Sequence, residues 1–148
     1  MAEAFGDEAW EGLLRWHDRT LRGLFERHGG EIVNSTGDGY FAAFAEALPA
    51  IECAVAIQRE LAAHREATGL ALEVRIGLHT AVANRRGQDY SGAGVHVAAR
   101  VGALAGPGEI LATSDTLAEA PAADAAEMRE ASLKGVRDTV RVASVAWA

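Results

Sequence analysis

Apolar residues recur at helical spacing over two long stretches of the chain, which predicts two amphipathic helices. The first is expected over residues 8–28, with Asp7 as its N-cap and Gly29 and Gly30 after its end, because glycine adopts left-handed angles at low cost. The second is expected over about 46–67. The face of the first helix that is expected to be buried comprises Trp10, Leu13, Leu14, His17, Leu21, Leu24, Phe25 and His28.

The sequence also predicts strands between these two helices and after the second one. Apolar and polar residues alternate over 71–83, which predicts a half-buried strand. Thr36-Gly37-Asp38-Gly39 is typical of a tight turn between two short strands, since Asp-Gly supplies positive φ angles. Further along, we expect a polar loop over 84–94 and a short helix over 95–105. A strand over 109–113, a helical turn over 114–120 and a final hairpin over 127–146 are expected after them.

This order of elements indicates an α+β fold built on one mostly antiparallel sheet with flanking helices. With 148 residues, of which 49% are apolar and 24% charged, the chain is expected to form one globular domain over 1–148. No internal repeat or linker divides it.

Composition and charge exclude several function classes. The net charge of −7 makes nucleic acid an unfavourable partner, although an anionic nucleotide can bind through local basic residues and a divalent cation. No run of about 18 apolar residues is long enough to span a membrane, and the N-terminus lacks the features of a signal peptide. A single cysteine, Cys53, fits a reducing compartment, and we expect it in the core of a cytoplasmic protein.

Asp38 is the first candidate for chemistry. In an isolated T-G-D-G turn, an aspartate is most often chosen for its φ angle and its bond to the backbone. The alternative is a metal carboxylate, because Mg²⁺ on nucleotide phosphates uses one or two carboxylates, and the glycines beside Asp38, Gly37 among them, would let the phosphates approach.

Four further residues offer groups that could bind a nucleotide: Asp89, His96, Arg100 and Lys134. His96 and Arg100 are four residues apart and share a helix face. A guanidinium donates two bonds to a phosphate, and Lys134, followed by Gly135, could place a point charge on one. Taken alone, Arg100 is more typical of a solvated helix residue and His96 of a hydrogen-bonded histidine at an interface. For Lys134 the alternative is an ordinary lysine in a hairpin.

Several segments, taken together and in order, resemble the class III adenylate/guanylate cyclase catalytic domains. They are H-G-G-E-I-V-N-S-T-G-D-G-Y-F-A-A-F (28–44), V-R-I-G-L-H-T-A (74–81), D-Y-S-G-A-G-V-H-V-A-A-R (89–100), G-P-G-E-I-L (106–111) and L-K-G-V (133–136). The resemblance implies a ferredoxin-like domain that works as a dimer with active sites at the subunit interface. It also implies Mg²⁺ or Mn²⁺ as cofactor, ATP as substrate with GTP as the alternative, and cyclic 3′,5′-AMP with pyrophosphate as products.

Carried over by position, the resemblance implies that Asp38 is a metal ligand and that Asp89 recognises the base. It implies that Arg100 stabilises the transition state and that Lys134 contacts the polyphosphate. Asn34 stands where the family has a lysine that selects adenine, and His96 where it has an asparagine that orients the ribose.

The family also opens with a strand that carries a first metal aspartate, and this chain begins just after that point. We therefore expect low cyclase activity from these 148 residues, as a homodimer or as a heterodimer with a complete cyclase. The gap left by the strand implies a rearranged sheet, a second chain or an upstream segment. The alternative function is a non-catalytic nucleotide-binding or dimerisation module.

Overall fold

The structure is a computed structural model that describes residues 6–36, 39–69, 72–80, 84–86, 89–91 and 93–148. Over 34–36, 84–86, 89–91 and at residue 93, the course of the backbone alone is described. The helices are α1 (Gly6–Arg27), α2 (Ala47–Thr68), α3 (Ala93–Leu104) and α4 (Ser114–Glu119). The strands are β1 (Glu31–Thr36), β2 (Gly39–Ala43), β3 (Ile76–Leu78), β4 (Asn84–Arg86), β5 (Asp89–Ser91), β6 (Ile110–Thr113), β7 (Arg129–Ala131) and β8 (Val140–Ser144).

The strands described form one four-stranded sheet and two hairpins. The sheet has the order β3-β6-β8-β7, in which β3 and β6 run parallel and the other two neighbouring pairs run antiparallel. β1 and β2 form one antiparallel hairpin, and β4 and β5 form the other. The α+β class and the mostly antiparallel sheet are confirmed, with one parallel pair that makes the sheet mixed.

Two helices cover opposite faces of the sheet. Ile110 and Ala112 pack with Ile51 and Ala54 of α2, whereas Leu111, between them on β6, packs with Val101 of α3. Side chains alternate between the two faces of a strand, so the fully buried run of β6 lies in the middle of a three-layer arrangement.

The pattern of the first two helices is largely confirmed. α1 and α2 begin and end within two residues of the expected positions, and Gly29, with a φ of 80°, follows the end of α1. Asp7 lies in the first turn of α1 rather than at its N-cap, where its charge still favours the helix dipole. The expected burial of Trp10 and Leu14 is wrong, since they are 51% and 41% exposed.

Within residues 72–80, the described part of the alternating segment 71–83, the strand is shorter than the pattern predicts. Ile76–Leu78 alone of these residues are strand, although exposure still alternates from Leu72 to Arg75. Among the described strands β3 pairs with β6 alone, and a strand needs a hydrogen-bonded partner along its length. The loop expected over 84–94 is also wrong, because β4, β5 and the start of α3 occupy most of it.

A contact between two glycines sets the distance between α3 and the sheet. A Cβ at Gly77 of β3 would lie 2.1 Å from the backbone nitrogen of Gly102 and 2.5 Å from its Cα. Position 77 needs glycine because the backbone of α3 rests directly on the backbone of β3, whereas a Cβ at Gly102 would lie 3.5 Å from the nearest strand atom, an ordinary contact distance. The small residues of α3 thus serve packing against the sheet at Gly102.

Candidate functional site

The surface where α3 meets the turn before β8 brings together two of the expected site positions. Gly135 has a φ of 80°, and a Cβ there would lie 2.9 Å from Nε2 of His96. The glycine after Lys134 therefore allows the turn to contact the imidazole ring of His96. Both His96 and Lys134 are exposed.

Arg100 lies one helical turn after His96 on α3 and is partly buried. Lys134 is the only lysine in the sequence, and it follows Leu133, which is 6% exposed and packs in the same cluster as Val101 of α3. The buried leucine holds the turn against the helix. We define the basic patch as His96, Arg100 and Lys134.

The β4–β5 hairpin leads into this patch. Asp89 pairs with Arg86 in the hairpin, and α3 begins two residues after β5 ends, in contact with that strand. The backbone of Asp89 is therefore placed on the strand that precedes α3. Its side chain lies outside the described part of the chain.

The β1–β2 hairpin carries the other expected positions. Asn34 pairs with Phe41 next to a register shift, and Thr36 pairs with Gly39 across the turn. This confirms the hairpin. Gly37 and Asp38 lie outside the described residues, as does the Asn34 side chain.

A cluster of polar side chains ties this hairpin to α1. The hydroxyl of Tyr40 donates to Oδ1 of Asp18 at 2.5 Å, and Nε of Arg22 donates to the same carboxylate at 3.0 Å. The bond to Tyr40, with smaller effects of Arg22, lowers the pKa of Asp18, while burial and that carboxylate raise the pKa of Tyr40 to about 12. Sequence reasoning missed this pair, because the two residues are far apart in the chain.

A second polar cluster lies at the carboxyl ends of the parallel strands β3 and β6. Nδ1 of His79 is 2.8 Å from Oγ1 of Thr113, which is 3.3 Å from Oγ1 of Thr116. Thr80 joins through its own contact with Thr116 at 3.0 Å. Burial lowers the pKa of His79, against a smaller opposite effect of Asp115.

The His79 cluster gives a prediction about acid stability. Because the folded protein favours neutral His79, its contribution to the free energy of unfolding is present above the ordinary pKa of 6.5 and is lost as the pH falls below it. We expect wild type to lose more stability than His79→Gln between about pH 7.5 and 5.5, in urea unfolding at both values. Equal losses in the two proteins would contradict it.

His28 just after α1, His64 on α2 and the cysteine make structural contacts. Nδ1 of His28 is 2.9 Å from the carbonyl of Leu24, and His64 stacks on Trp16 with ring centroids 3.7 Å apart. Cys53 is 1% exposed, and burial raises the pKa of its thiol to about 11, as expected for a core residue.

The described residues do not form a metal centre. No three His, Cys, Asp or Glu side chains cluster in that part of the chain in a way that could hold a metal ion. Asp38, the expected metal ligand, lies outside it. Across the same residues, none of the helices has the length and apolar character needed to cross a bilayer.

Comparisons with known proteins agree with the sequence resemblance. No protein-family model matches the chain. A protein of Rhizobium meliloti named "Putative adenylate cyclase 3" is 37% identical over 109 residues, which are 72% of this chain and 18% of that protein. The chain thus spans less than a fifth of the length of this curated relative.

Solved structures share the fold over almost the whole chain. An adenylate/guanylate cyclase/hydrolase from Silicibacter pomeroyi matches with a TM-score of 0.84 at 24% identity, over 94% of this chain and 84% of that one. An adenylate cyclase from Trypanosoma brucei, in its monomeric state, matches with 0.82 at 20% identity, over 96% and 80%. A guanylate cyclase domain from Catenaria anguillulae, in complex with GTP, matches with 0.70 at 19% identity, over 91% and 82%.

Proposed function

We propose that the basic patch binds the polyphosphate of a purine nucleoside triphosphate, in a chain that shares its fold with solved adenylate and guanylate cyclases and resembles class III cyclase domains in sequence. The observation that carries the proposal is the contact between the His96 ring and Gly135. It places the turn of Lys134 against the helix that presents His96 and Arg100, in a chain whose net charge is −7.

The three side chains have different tasks in the proposed reaction. The ribose 3′-hydroxyl oxygen attacks the α-phosphorus and its proton passes to water. The bond from the α-phosphorus to the oxygen that bridges to the β-phosphate breaks, so that cyclic 3′,5′-nucleotide and pyrophosphate form. Arg100 donates to the oxygens on which negative charge develops, and Lys134 binds the polyphosphate that departs. His96 donates a hydrogen bond that orients the ribose.

A divalent cation, Mg²⁺ or Mn²⁺, accompanies the nucleotide in this proposal, with Asp38 as the protein carboxylate that binds it. When bound, such a cation neutralises phosphate charge and lowers the pKa of the attacking hydroxyl. A single protein carboxylate binds a divalent cation weakly, so the nucleotide phosphates supply most of the ligands of the cation.

We further propose that the site is completed between two copies of the chain. Asp38 from one copy and the basic patch of the other then meet at one triphosphate, in a homodimer or in a heterodimer with a complete cyclase. ATP is the preferred substrate because Asp89 matches the aspartate with which the family recognises adenine. Asn34 replaces the lysine that selects adenine, which weakens the preference for ATP and leaves GTP as a second substrate.

Low turnover is part of the proposal. Asp38 is the single matched metal aspartate in these 148 residues, and a histidine replaces the asparagine that orients the ribose. A domain that binds nucleotide without converting it, and acts as a dimerisation or sensing module, is the second candidate function. The presence of His96 in place of that asparagine favours this second function.

The sole lysine allows a direct test of nucleotide binding at the patch. The protein is acetylated with an N-hydroxysuccinimide ester of acetic acid, with and without ATP and Mn²⁺, and the rate at Lys134 is followed by mass spectrometry. We expect ATP to slow acetylation of Lys134 about tenfold at saturation, while the α-amino group serves as an internal control. AMP, which lacks the β- and γ-phosphates, is expected to protect it far less.

Equal acetylation of Lys134 with and without ATP would contradict the proposal. Protection by ATP together with formation of cyclic AMP identifies the enzyme, and protection without product identifies the non-catalytic module. A variant with one exposed charge removed elsewhere, Arg19→Gln on α1, is expected to show the same protection as wild type.

A further inference from the structure

The ring of His96 lies beside Gly135, in the place that the sequence suggests for a phosphate. The glycine after Lys134 leaves one side of the turn open, and an edge of the imidazole ring is packed there. A Cβ at Gly135 would be 2.9 Å from Nε2 and 3.4 Å from Cε1 of His96. An anion that approaches the turn of Lys134 from this side therefore meets Nε2 of His96 as well.

His96 differs from the other two members of the basic patch because its charge is variable. Arginine and lysine stay protonated near neutral pH, whereas histidine changes its charge between about pH 5 and 8. A neutral imidazole ring has one N–H donor, and a protonated ring has two. The side chain is exposed, so it can take up a proton from solvent without a change in the fold.

The charged groups on the elements around His96 are mostly positive. On β7, Ala131 packs toward α3, so Arg129 shares that face of the sheet and Glu130 does not. The charged side chains on the elements packed against α3 at this face are Arg100 on α3 itself, Arg129 on β7, Lys134, Arg137 and Asp138 around the turn, and Asp89 on β5, whose side chain lies outside the described residues. All except the two aspartates are cations. Within the described part of the chain, no carboxylate forms an ion pair with a side chain of the basic patch.

We propose that His96 binds phosphate in its protonated form, so that the basic patch takes up a proton together with the nucleotide and its affinity rises as the pH falls. The inference rests on the proposed function, in which a polyphosphate binds at this patch. A triphosphate brings negative charge to the cations around His96, and it therefore favours the charged ring. Because coupling between two ligands is reciprocal, a proton on the ring strengthens nucleotide binding by the same factor.

Two donors let the protonated ring serve two parts of one nucleotide. Nε2, which lies at the turn, donates to a phosphate oxygen, and the second N–H orients the ribose. A neutral ring has to give up one of these two hydrogen bonds. Asparagine has no titratable group, so a chain with asparagine at this position would bind nucleotide without this proton.

The test is isothermal titration of the whole chain with ATP and Mn²⁺ at about pH 6, 7 and 8, the range in which histidine titrates. Wild type is compared with His96→Asn. ATP also titrates in this range, but it does so equally for both proteins, so the ratio of the two affinities isolates His96. We expect the affinity of wild type relative to His96→Asn to rise about tenfold from the highest pH to the lowest, because a charged donor makes a stronger hydrogen bond. Circular dichroism verifies that both proteins are folded at each pH.

A second ligand and a second variant locate the effect. Inorganic tripolyphosphate with Mn²⁺ has neither ribose nor base, and we expect it to show the same rise in relative affinity as ATP. His64→Asn removes an imidazole from α2, which covers the opposite face of the sheet from α3. This variant is expected to keep the pH dependence of wild type.

Three results would overturn the proposal. The first is a relative affinity for ATP that does not change with pH, and the second is a change with ATP but none with tripolyphosphate, which would assign the ring to the ribose alone. The third is the same loss of pH dependence in His64→Asn as in His96→Asn. A constant relative affinity while ATP still protects Lys134 from acetylation leaves the nucleotide proposal intact, whereas no ATP binding at any pH, with Lys134 unprotected, would refute both.

Discussion

Gly77→Ala is expected to destabilise the protein by about 3 kcal/mol, the largest stability effect of a single methyl group that the structure supports. The added Cβ would lie 2.1 Å from the nitrogen of Gly102, inside any allowed contact distance. The atoms that it meets belong to the backbone of α3, so no side chain can rotate away. The helix must move off the sheet, and the contacts of fully buried Val101 weaken with it.

The measurement is urea unfolding followed by circular dichroism. The matched control is Gly12→Ala on α1, where the nearest atom to a new Cβ is Nη2 of Arg15 at 4.0 Å. That substitution is expected to raise stability by about 0.5–1 kcal/mol, because glycine is a poor helix former. An unchanged unfolding midpoint for Gly77→Ala would show that α3 does not rest on β3 as described.

Arg100→Gln and Lys134→Gln are each expected to weaken ATP binding about tenfold or more, if the patch binds the polyphosphate as proposed. A charge-assisted hydrogen bond contributes about 1.5–3 kcal/mol, and about 1.4 kcal/mol corresponds to a factor of ten in affinity. Glutamine keeps a hydrogen-bond donor and much of the side-chain length, so the change isolates the positive charge.

Isothermal titration with ATP and Mn²⁺ measures this effect. Arg19→Gln removes a comparable charge from an exposed position of α1 and serves as the control for net charge. Because salt screens such contacts, the difference between wild type and the patch variants is expected to shrink as ionic strength rises. Equal affinities for wild type, Arg100→Gln and Arg19→Gln would refute a role of the patch in binding.

Local patterns in the sequence accounted for much of the fold. The spacing of apolar residues predicted α1 and α2 within two residues, and a short helix was expected close to the bounds of α3. Thr36-Gly37-Asp38-Gly39 correctly predicted the β1–β2 hairpin. These features depend on residues that are close together in the sequence, since apolar periodicity and the effect of glycine on the backbone act over a few residues. The ordered motifs also identified the fold that the solved structures confirm.

The candidate site was predictable in part. His96 and Arg100 were expected on one helix face, and the structure places both on α3. The contact of His96 with Gly135 was not predictable, because the sequence suggested only that the glycine admits a phosphate. The roles of Asn34, Gly37, Asp38 and Asp89 stay predictions, since their side chains lie outside the described residues.

Tertiary structure determined the features that the sequence patterns did not predict or predicted wrongly. The alternation over 71–83 predicted a long strand, but strand length depends on the partners that pair with it, and β3 has one described partner. Trp10 has the same helical spacing as the buried leucines of α1, yet it is exposed, because burial depends on which residues pack against that part of the helix. The amino-acid sequence by itself determined α1, α2, the β1–β2 hairpin and the kind of fold, because those follow from local periodicity and motif order. The glycine contact and the basic patch were decided by packing between distant segments.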